Sequence, residues 1–322
     1  MVKVVARTRE SIWGGGEEFL LSLLEEFSRQ GWQCELRSPS NSEINRRFSK
    51  QFPKTSKDYR SGSTPRFLLL NDFRSVWKSI LIDGIATRIF IIHGPWQLSR
   101  LRAVVCTLFR VKSFAVNEEL SRKAISLGLK DCKLLNIGPR PIAYARTRVL
   151  RDLDQISSSD GALTLGLVAR PDPIKRIGLF GNLVSLCGGK GILVSGPGAR
   201  DYLAQEDVWN LEIYEDGDTG HVWNSDLDAF LLTSEYESFG ITILEALANG
   251  LPVLTTANGG PREFLTGALS LGLLPPTGVT AANIHDALRA IKIHENEYWN
   301  EAKVLLAQHG PEVCVRQIVN AL

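Results

Sequence analysis

At 322 residues, 44% apolar and 22% charged, the chain is long enough for two domains with full cores, and its composition is ordinary for a globular protein. No apolar run approaches the ~20 residues of a membrane-spanning helix. The five scattered cysteines include no Cys-x-x-Cys pair, which argues against a disulfide framework or a thiolate zinc site and for a reducing cytoplasm. The net charge of +2 conceals an asymmetry: residues 1–150 hold 26 Lys/Arg against 13 Asp/Glu, and residues 151–322 hold 11 against 22. The halves therefore carry +13 and −11, and the first is expected to meet an anionic partner or surface.

Residues 2–6 predict a buried strand. It leads into Trp13-Gly14-Gly15-Gly16-Glu17-Glu18 and a helix marked by Leu20, Leu23, Leu24 and Phe27 that ends near Gly31. The opening run has no signal-peptide core, so the expected location is the cytoplasm. A glycine-rich turn between strand and helix lets backbone approach a phosphate or a sugar. Gly14, Gly15 and Gly16 lack the spacing of a dinucleotide fingerprint or a Walker loop, and alone such a turn is more often only tight.

Residues 33–37 predict a second strand. Residues 39–66 are rich in Ser, Lys and Arg, with Phe48, Phe52 and Tyr59 between the cations. They predict a mobile loop that either docks on anionic lipid or is simply solvated, and no nucleic-acid-binding module surrounds it. Residues 66–71, 88–93 and 112–117 predict further strands, each followed by a helix. His93 ends one of them, ahead of Gly94-Pro95. In an open parallel sheet the carboxyl ends of strands face the ligand crevice, which places His93 to touch substrate, although a lone His is more often a packed residue. The helix over 96–110 is expected to pack on the sheet, with an interfacial role as the alternative because it carries Arg100, Arg102 and Arg110.

Residues 150–161 are polar and predict a linker. A second sheet starts over 162–170, with Arg170-Pro-Asp-Pro-Ile-Lys175 at its strand-to-helix turn. Arg170 and Lys175 can face the crevice and neutralise a diphosphate; the alternative is a solvated helix start. After strands at 192–198 and 211–214 comes a strand at 228–233. A turn with Glu237, Ser238, Phe239 and Gly240 follows, then a helix from about Ile241 with Leu244, Leu247 and Ala248, then a strand at 253–256. This is a βαβ unit. A helix N-terminus presents unpaired N–H groups and partial positive charge, so the turn at Gly240 suits an anion such as a diphosphate. Glu245 lies ~8 Å along the helix from it. A diphosphate there has a carboxylate on each side, and carboxylates accept from the paired hydroxyls of sugars. The implied ligand is a nucleotide–diphosphate–sugar. The rival reading, commoner for an isolated pair at this spacing, makes Glu237 a helix cap and Glu245 a solvent-facing residue. Gly259-Gly260-Pro-Arg-Glu263 opens a short helix, and 280–292, 296–307 and 311–321 predict the closing helices.

Taken together these pieces resemble the GT-B glycosyltransferases of the retaining GT4 class (glycosyl transferases group 1). The resemblance rests on Gly-x-Val-Ala-Arg-x-Asp-Pro-x-Lys from Gly166 to Lys175, on Glu-x7-Glu from Glu237 to Glu245, on Gly-Gly-x-x-Glu from Gly259 to Glu263, and on Gly14-Gly15-x-Glu17 with the strand-end His93. It implies an α/β protein of two Rossmann-like doubly wound domains facing across a cleft. Residues 1–150 would take the acceptor, 151–310 the nucleotide sugar, and 311–322 a helix crossing back to the first domain. It further implies Arg170 and Lys175 on the diphosphate, Glu245 on the ribose and Glu237 on the transferred sugar. The turn of Ser238, Phe239, Gly240 and Ile241 would hold sugar and phosphate, with Gly14–Gly16 over the phosphates and His93 at the donor sugar.

The expected reaction moves a hexosyl group from a UDP- or GDP-sugar to an acceptor hydroxyl with retention, in glycan, polysaccharide or glycolipid synthesis. Expected partners are the nucleotide sugar, a glycan or lipid-linked acceptor and an anionic membrane face, with no nucleic acid. No cofactor or metal is expected: Asp216-Gly-Asp218 and Asp226-Leu-Asp228 mimic a metal-binding Asp-x-Asp but fall in a turn and at a strand start. The rivals are a phosphorylase or epimerase of the same fold, and a sugar-nucleotide-binding subunit without catalysis.

Overall fold

The computed structural model describes residues 3–8, 14–52, 67–83, 86–139, 162–204 and 210–321. The chain divides into two compact units, Met1–Arg140 with Gln308–Leu322, and Pro141–Ala307.

The first unit is built on six parallel strands: β1 (Lys3–Arg7), β2 (Gln33–Arg37), β3 (Phe67–Leu70), β4 (Thr87–Ile92), β5 (Lys112–Ala115) and β6 (Cys132–Leu134). Their order is β2-β1-β3-β4-β5-β6. Phe67–Leu70 and Ile89–Ile92 are buried without a break, as strands must be when helices cover both faces. Five helices alternate with them: α1 (Gly15–Arg29), α2 (Glu43–Gln51), α3 (Phe73–Ile82), α4 (Arg100–Leu108) and α5 (Glu118–Ser126). Ser42, Asp72, Ser99 and Asn117 cap the last four, each side chain accepting from a first-turn N–H.

Two expectations for this unit need correction. Part of the anticipated loop at 39–66 is helix α2. Ile44 and Phe48, four residues apart, are buried, and Arg46 and Arg47 pair with Glu43 at 2.7 and 2.9 Å, so some of the local cation surplus is neutralised within the helix. Residues 53–66, with Lys54, Lys57, Tyr59 and Arg60, lie outside the described residues, as does the anticipated linker at 150–161. The stretch 96–110 is not one helix that buries its apolar side. A 3-10 turn (Pro95–Gln97) precedes α4, which buries Ala103, Val105 and Cys106 while Leu101, Val104 and Leu108 face outward.

The second unit carries five parallel strands: β7 (Thr164–Val168), β8 (Lys190–Val194), β9 (Leu211–Tyr214), β10 (Ala229–Leu232) and, further along, β12 (Val253–Thr255). A short pair, β11 (Tyr236–Glu237) with β13 (Asn258–Gly259), stands apart from the main sheet. The main order is β12-β10-β7-β8-β9. Helices α6 (Ile177–Leu186), α7 (Ala199–Leu203), α8 (Gly220–Trp223), α9 (Ile241–Ala248), α10 (Gly260–Phe264), α11 (Ala281–Ile293) and α12 (Glu295–Ala307) complete it. The last helix, α13 (Pro311–Asn320), belongs to the first unit, where it packs on α1. Asn136 ties it there by donating to the Gln308 carbonyl at 3.1 Å. The cysteines are free thiols, and burial pushes Cys34 and Cys132 up to about 12, so they are chemically quiet at neutral pH.

Asp83 pins the end of α3 to the first sheet. Its carboxylate accepts from Arg7 at 2.8 and 3.1 Å and from Arg37, and its side chain is 2% exposed. Removing one partner of such a pair strands the other charge. Asp83→Ala should cost about 3–5 kcal/mol in urea unfolding; a loss below about 1 kcal/mol contradicts this account of the contact.

Candidate functional site

Strand order in the second sheet reverses between β7 and β10, and open parallel sheets bind ligands outside the carboxyl ends of the strands at such a point. Two loops leave the sheet there. From β7 the chain passes Arg170 and reaches a 3-10 turn, Pro173–Lys175, capped by Asp172. From β10 it passes Thr233 and Ser234 to Glu237. The loops meet in an ion pair: Lys175 Nζ lies 2.6 Å from Glu237 Oε1, and Ser234 Oγ donates to the same oxygen at 2.7 Å. The two charged side chains are only 19% and 13% exposed, which protects the pair from the screening that weakens surface salt bridges. Among the described residues, Glu237 Oε2 has no partner. Arg170 is exposed and its guanidinium likewise has none among them.

Arg176 builds this geometry. Its backbone is left-handed (φ 48°), an unfavourable conformation for a residue with a Cβ. Its guanidinium compensates by donating to the carbonyls of Thr233 at 2.8 Å and Ser234 at 3.0 Å, and to Thr256 Oγ1 at 2.8 Å. Thr233 Oγ1 returns hydrogen bonds to the carbonyls of Lys175 and Arg176 at 3.1 Å. The two loops are thus stitched together directly beneath the ion pair.

Beyond Glu237 the chain enters α9 through Gly240, whose φ of 88° favours glycine. No side chain caps this helix, so its first N–H groups are not taken by a capping residue. Phe239 turns its ring inward, 5.0 Å from Phe264, leaving its amide on the turn. Glu245 is half-buried within α9 and engaged with a neighbour. β11 and β13 bring Glu237 opposite Gly259, where a Cβ would come within 2.4 Å of the Glu237 carbonyl; only glycine allows that approach. The Gly-Gly-x-x-Glu stretch therefore supports the Glu237 loop from behind.

In the first unit the strand order reverses between β1 and β3, and a polar cluster sits at the adjoining strand ends. Gly14 precedes α1, and Gly15 and Gly16 are its first two residues rather than a separate loop. A Cβ at Gly16 would lie 3.6 Å from Asn71 Nδ2 and 3.9 Å from His93 Nδ1. Asn71 Nδ2 donates to Glu17 Oε1 at 3.2 Å, while Asn71 Oδ1 lies 2.5 Å from His93 Nε2. Because the carboxylate accepts, Asn71 must turn its amide nitrogen to Glu17 and its oxygen to His93. His93 Nε2 is then the protonated nitrogen, and Nδ1 keeps its lone pair. Gln97 fixes the rest: its Oε1 accepts from the His93 amide at 2.6 Å and its Nε2 donates to the Asn71 carbonyl at 2.9 Å. Burial lowers the His93 pKa to about 4, so the ring is a neutral acceptor at physiological pH.

The predicted residues thus fall into two groups at two strand-order reversals: Arg170, Lys175, Glu237, Ser238, Phe239, Gly240, Ile241 and Glu245 in the second unit, and Gly14, Gly15, Gly16 and His93 in the first. Sequence reading missed Ser234, Arg176, Asn71 and Gln97. Of the aspartates resembling a metal motif, Asp228 accepts from the Thr164 amide at 2.7 Å and Asp216 holds His221 at 2.9 Å.

Residues 214–303 match the family model described as glycosyl transferases group 1, a span that includes Glu237, Gly240, Glu245 and Glu263 but neither Lys175 nor the first unit's sheet. A GDP-mannose-dependent alpha-mannosyltransferase of Mycobacterium tuberculosis (strain CDC 1551 / Oshkosh) is 30% identical over 179 residues, 53% of this chain and 44% of that protein. The chain thus spans less than half the length of that relative. Among solved structures, Anabaena Alr3699/HepE, crystallised with UDP and glucose, superposes with a TM-score of 0.68 at 16% identity, covering 100% of this chain and 99% of that one. Sucrose-phosphate synthase from Thermosynechococcus elongatus gives 0.69 at 16% identity, covering 100% and 98%. The fold is that of the GT-B glycosyltransferases, with two Rossmann-like domains.

The unfolded chain protonates His93 near pH 6.5 and the folded protein only near 4, so the unfolded state binds more protons between these values. His93 therefore costs stability as pH falls through that window and nothing above it. Nitrogen NMR should find the neutral Nε2–H form at about pH 6, and His93→Gln should flatten the stability loss between 6.5 and 4. Titration near 6.5, or an Nδ1–H tautomer, contradicts the assignment.

Proposed function

We propose that this chain is a metal-independent, retaining glycosyltransferase that moves a hexosyl group from a nucleotide-diphosphate sugar to an acceptor hydroxyl in glycan, polysaccharide or glycolipid synthesis. The observation that carries the reading is the Lys175–Glu237 contact at the strand-order reversal of the second sheet, beside the uncapped start of α9. It joins a cation and an anion-binding helix end to a carboxylate with one oxygen still open.

In this reading the diphosphate lies at Gly240 and Ile241, where the helix N–H groups and the Ser238 and Phe239 turn amides accept its charge. Lys175 and the unpartnered Arg170 add formal positive charge. Glu245 takes the ribose hydroxyls. Glu237 takes a hydroxyl of the transferred sugar on Oε2, while Lys175 and Ser234 hold Oε1 and fix the carboxylate's orientation. His93 presents Nδ1 to a sugar hydroxyl as a neutral acceptor, and Gly14–Gly16 keep the approach to it open for lack of side chains.

The bond from the anomeric carbon to the phosphate oxygen breaks as the acceptor oxygen bonds to the same face of that carbon. The acceptor's proton passes to the departing phosphate oxygen, so no protein carboxylate has to serve as a covalent nucleophile. Negative charge on the leaving diphosphate grows as the bond breaks. Lys175, Arg170 and the helix end stabilise that growth more than the ground state, which is where an electrostatic contribution raises turnover. They supply the charge that a metal provides in other transferases.

Purified protein screened against UDP-, GDP- and ADP-sugars should gain about 2.7 kcal/mol of stability from its donor at 100 times Kd. It should transfer the sugar, or slowly hydrolyse the donor, with retained anomeric configuration by NMR. Lys175→Ala should remain folded and lose about 10²–10³ in kcat. Near-normal turnover in that variant, an inverted product, or activity that a chelator abolishes and manganese restores contradicts the proposal.

A further inference from the structure

Two helices of the first unit present apolar side chains outward where a globular surface normally presents polar ones. On α4, Leu101, Val104 and Leu108 recur at helical spacing on the outer face, with Leu101 71% and Leu108 70% exposed. On α3 the outer face holds Trp77, Leu81 and Ile82, with Leu81 77% exposed. The rings of Trp77 and Phe109 approach to 6.5 Å, so the two helices form one continuous surface. Trp96 extends it, 67% exposed, and is held there because Arg102 donates to its carbonyl at 2.6 Å while stacking 5.1 Å over Phe73. Contiguous exposed apolar area of this kind marks a contact surface.

Cations dominate the charge around it, and the carboxylate at the start of α3, Asp72, is engaged with Ser75. Residues 73–82 and 95–112 contain six cations (Arg74, Lys78, Arg100, Arg102, Arg110 and Lys112) and no Asp or Glu. Arg74, Lys78, Arg100 and Arg110 are exposed on or beside the apolar stripes. The nearest carboxylate after α3, Asp83, is buried against Arg7. We infer that this face of α3, the Pro95–Gln97 turn and α4 docks on an anionic lipid surface. Leucine and tryptophan side chains enter the boundary between headgroups and acyl chains, and the arginines and lysine meet the phosphates. A second copy of the chain is disfavoured as occupant, because self-association would set two faces of four exposed cations each against each other. Among the described residues no helix is long and apolar enough to cross a membrane. The inference stands apart from the catalytic reading and does not need it.

The test is co-sedimentation of the intact protein with phosphatidylcholine vesicles, with and without phosphatidylglycerol. The protein should pellet only with the anionic vesicles and be released by salt. Leu101→Ser/Val104→Ser/Leu108→Ser should weaken partitioning by roughly ten-fold or more. Arg74→Gln/Lys78→Gln should weaken it by about five-fold per charge. Leu186→Ser/Ile293→Ser, which changes exposed apolar residues of the second unit, should bind as the unaltered protein does. Because all these positions are exposed, circular dichroism melts should be unchanged. Failure to pellet with anionic vesicles, equal binding to neutral ones, or unaltered binding by the triple variant overturns the inference. So does light scattering that shows a dimer which the triple variant dissociates.

Discussion

The meeting of Lys175 and Glu237 is the constraint on which the rest of the second unit depends. Each residue lies several positions beyond the end of its main-sheet strand, Lys175 in the Pro173–Lys175 turn and Glu237 in the short strand β11. The sheet supplies the rough placement, since β7 and β10 are neighbours and their carboxyl ends point the same way. The final placement comes from Arg176, which accepts a strained backbone and in return binds two carbonyls of the other loop and the Thr256 hydroxyl just beyond β12. The cost of one left-handed residue is of order 1–2 kcal/mol, and several charge-assisted hydrogen bonds at about 1.5–3 kcal/mol each exceed it. Under the proposed function such rigidity favours binding of a flexible anionic ligand, because little reorganisation is left for the binding step.

The first unit achieves order by a different route. Its polar cluster contains one carboxylate and uses a chain of hydrogen bonds whose directions are all determined by the first: Glu17 can only accept, so Asn71 turns one way, and so His93 protonates one nitrogen. Burial does the rest by keeping the ring neutral. A neutral imidazole suits a sugar hydroxyl, which is itself neutral, and adds no charge that would compete for a phosphate.

Much of this was legible in the sequence. The strands are buried apolar runs between turn residues, and the helix that carries Glu245 shows its glycine entry at Gly240. What escaped did so for physical reasons. Helix α2 hid because its surface is basic, and only Ile44 and Phe48 reveal an inner face. The outward stripe of α4 hid because a helix apolar on several sides shows no preferred face in its periodicity. Arg176 was unreadable because its conformation is held by tertiary contacts against local preference. Asn71 and Gln97 were unreadable because a neutral amide acquires a role only from its neighbours.

The central claim, that an anionic diphosphate is received at the start of α9 beside Lys175 and Glu237, is tested most directly by amide NMR shifts on adding a nucleoside diphosphate. The account predicts the largest changes at Phe239, Gly240 and Ile241, with smaller ones at Arg170 and Lys175, all abolished in a variant whose α9 entry is disrupted by Gly240→Val. Saturable shifts confined to other loops, with residues 237–241 unmoved, would contradict it.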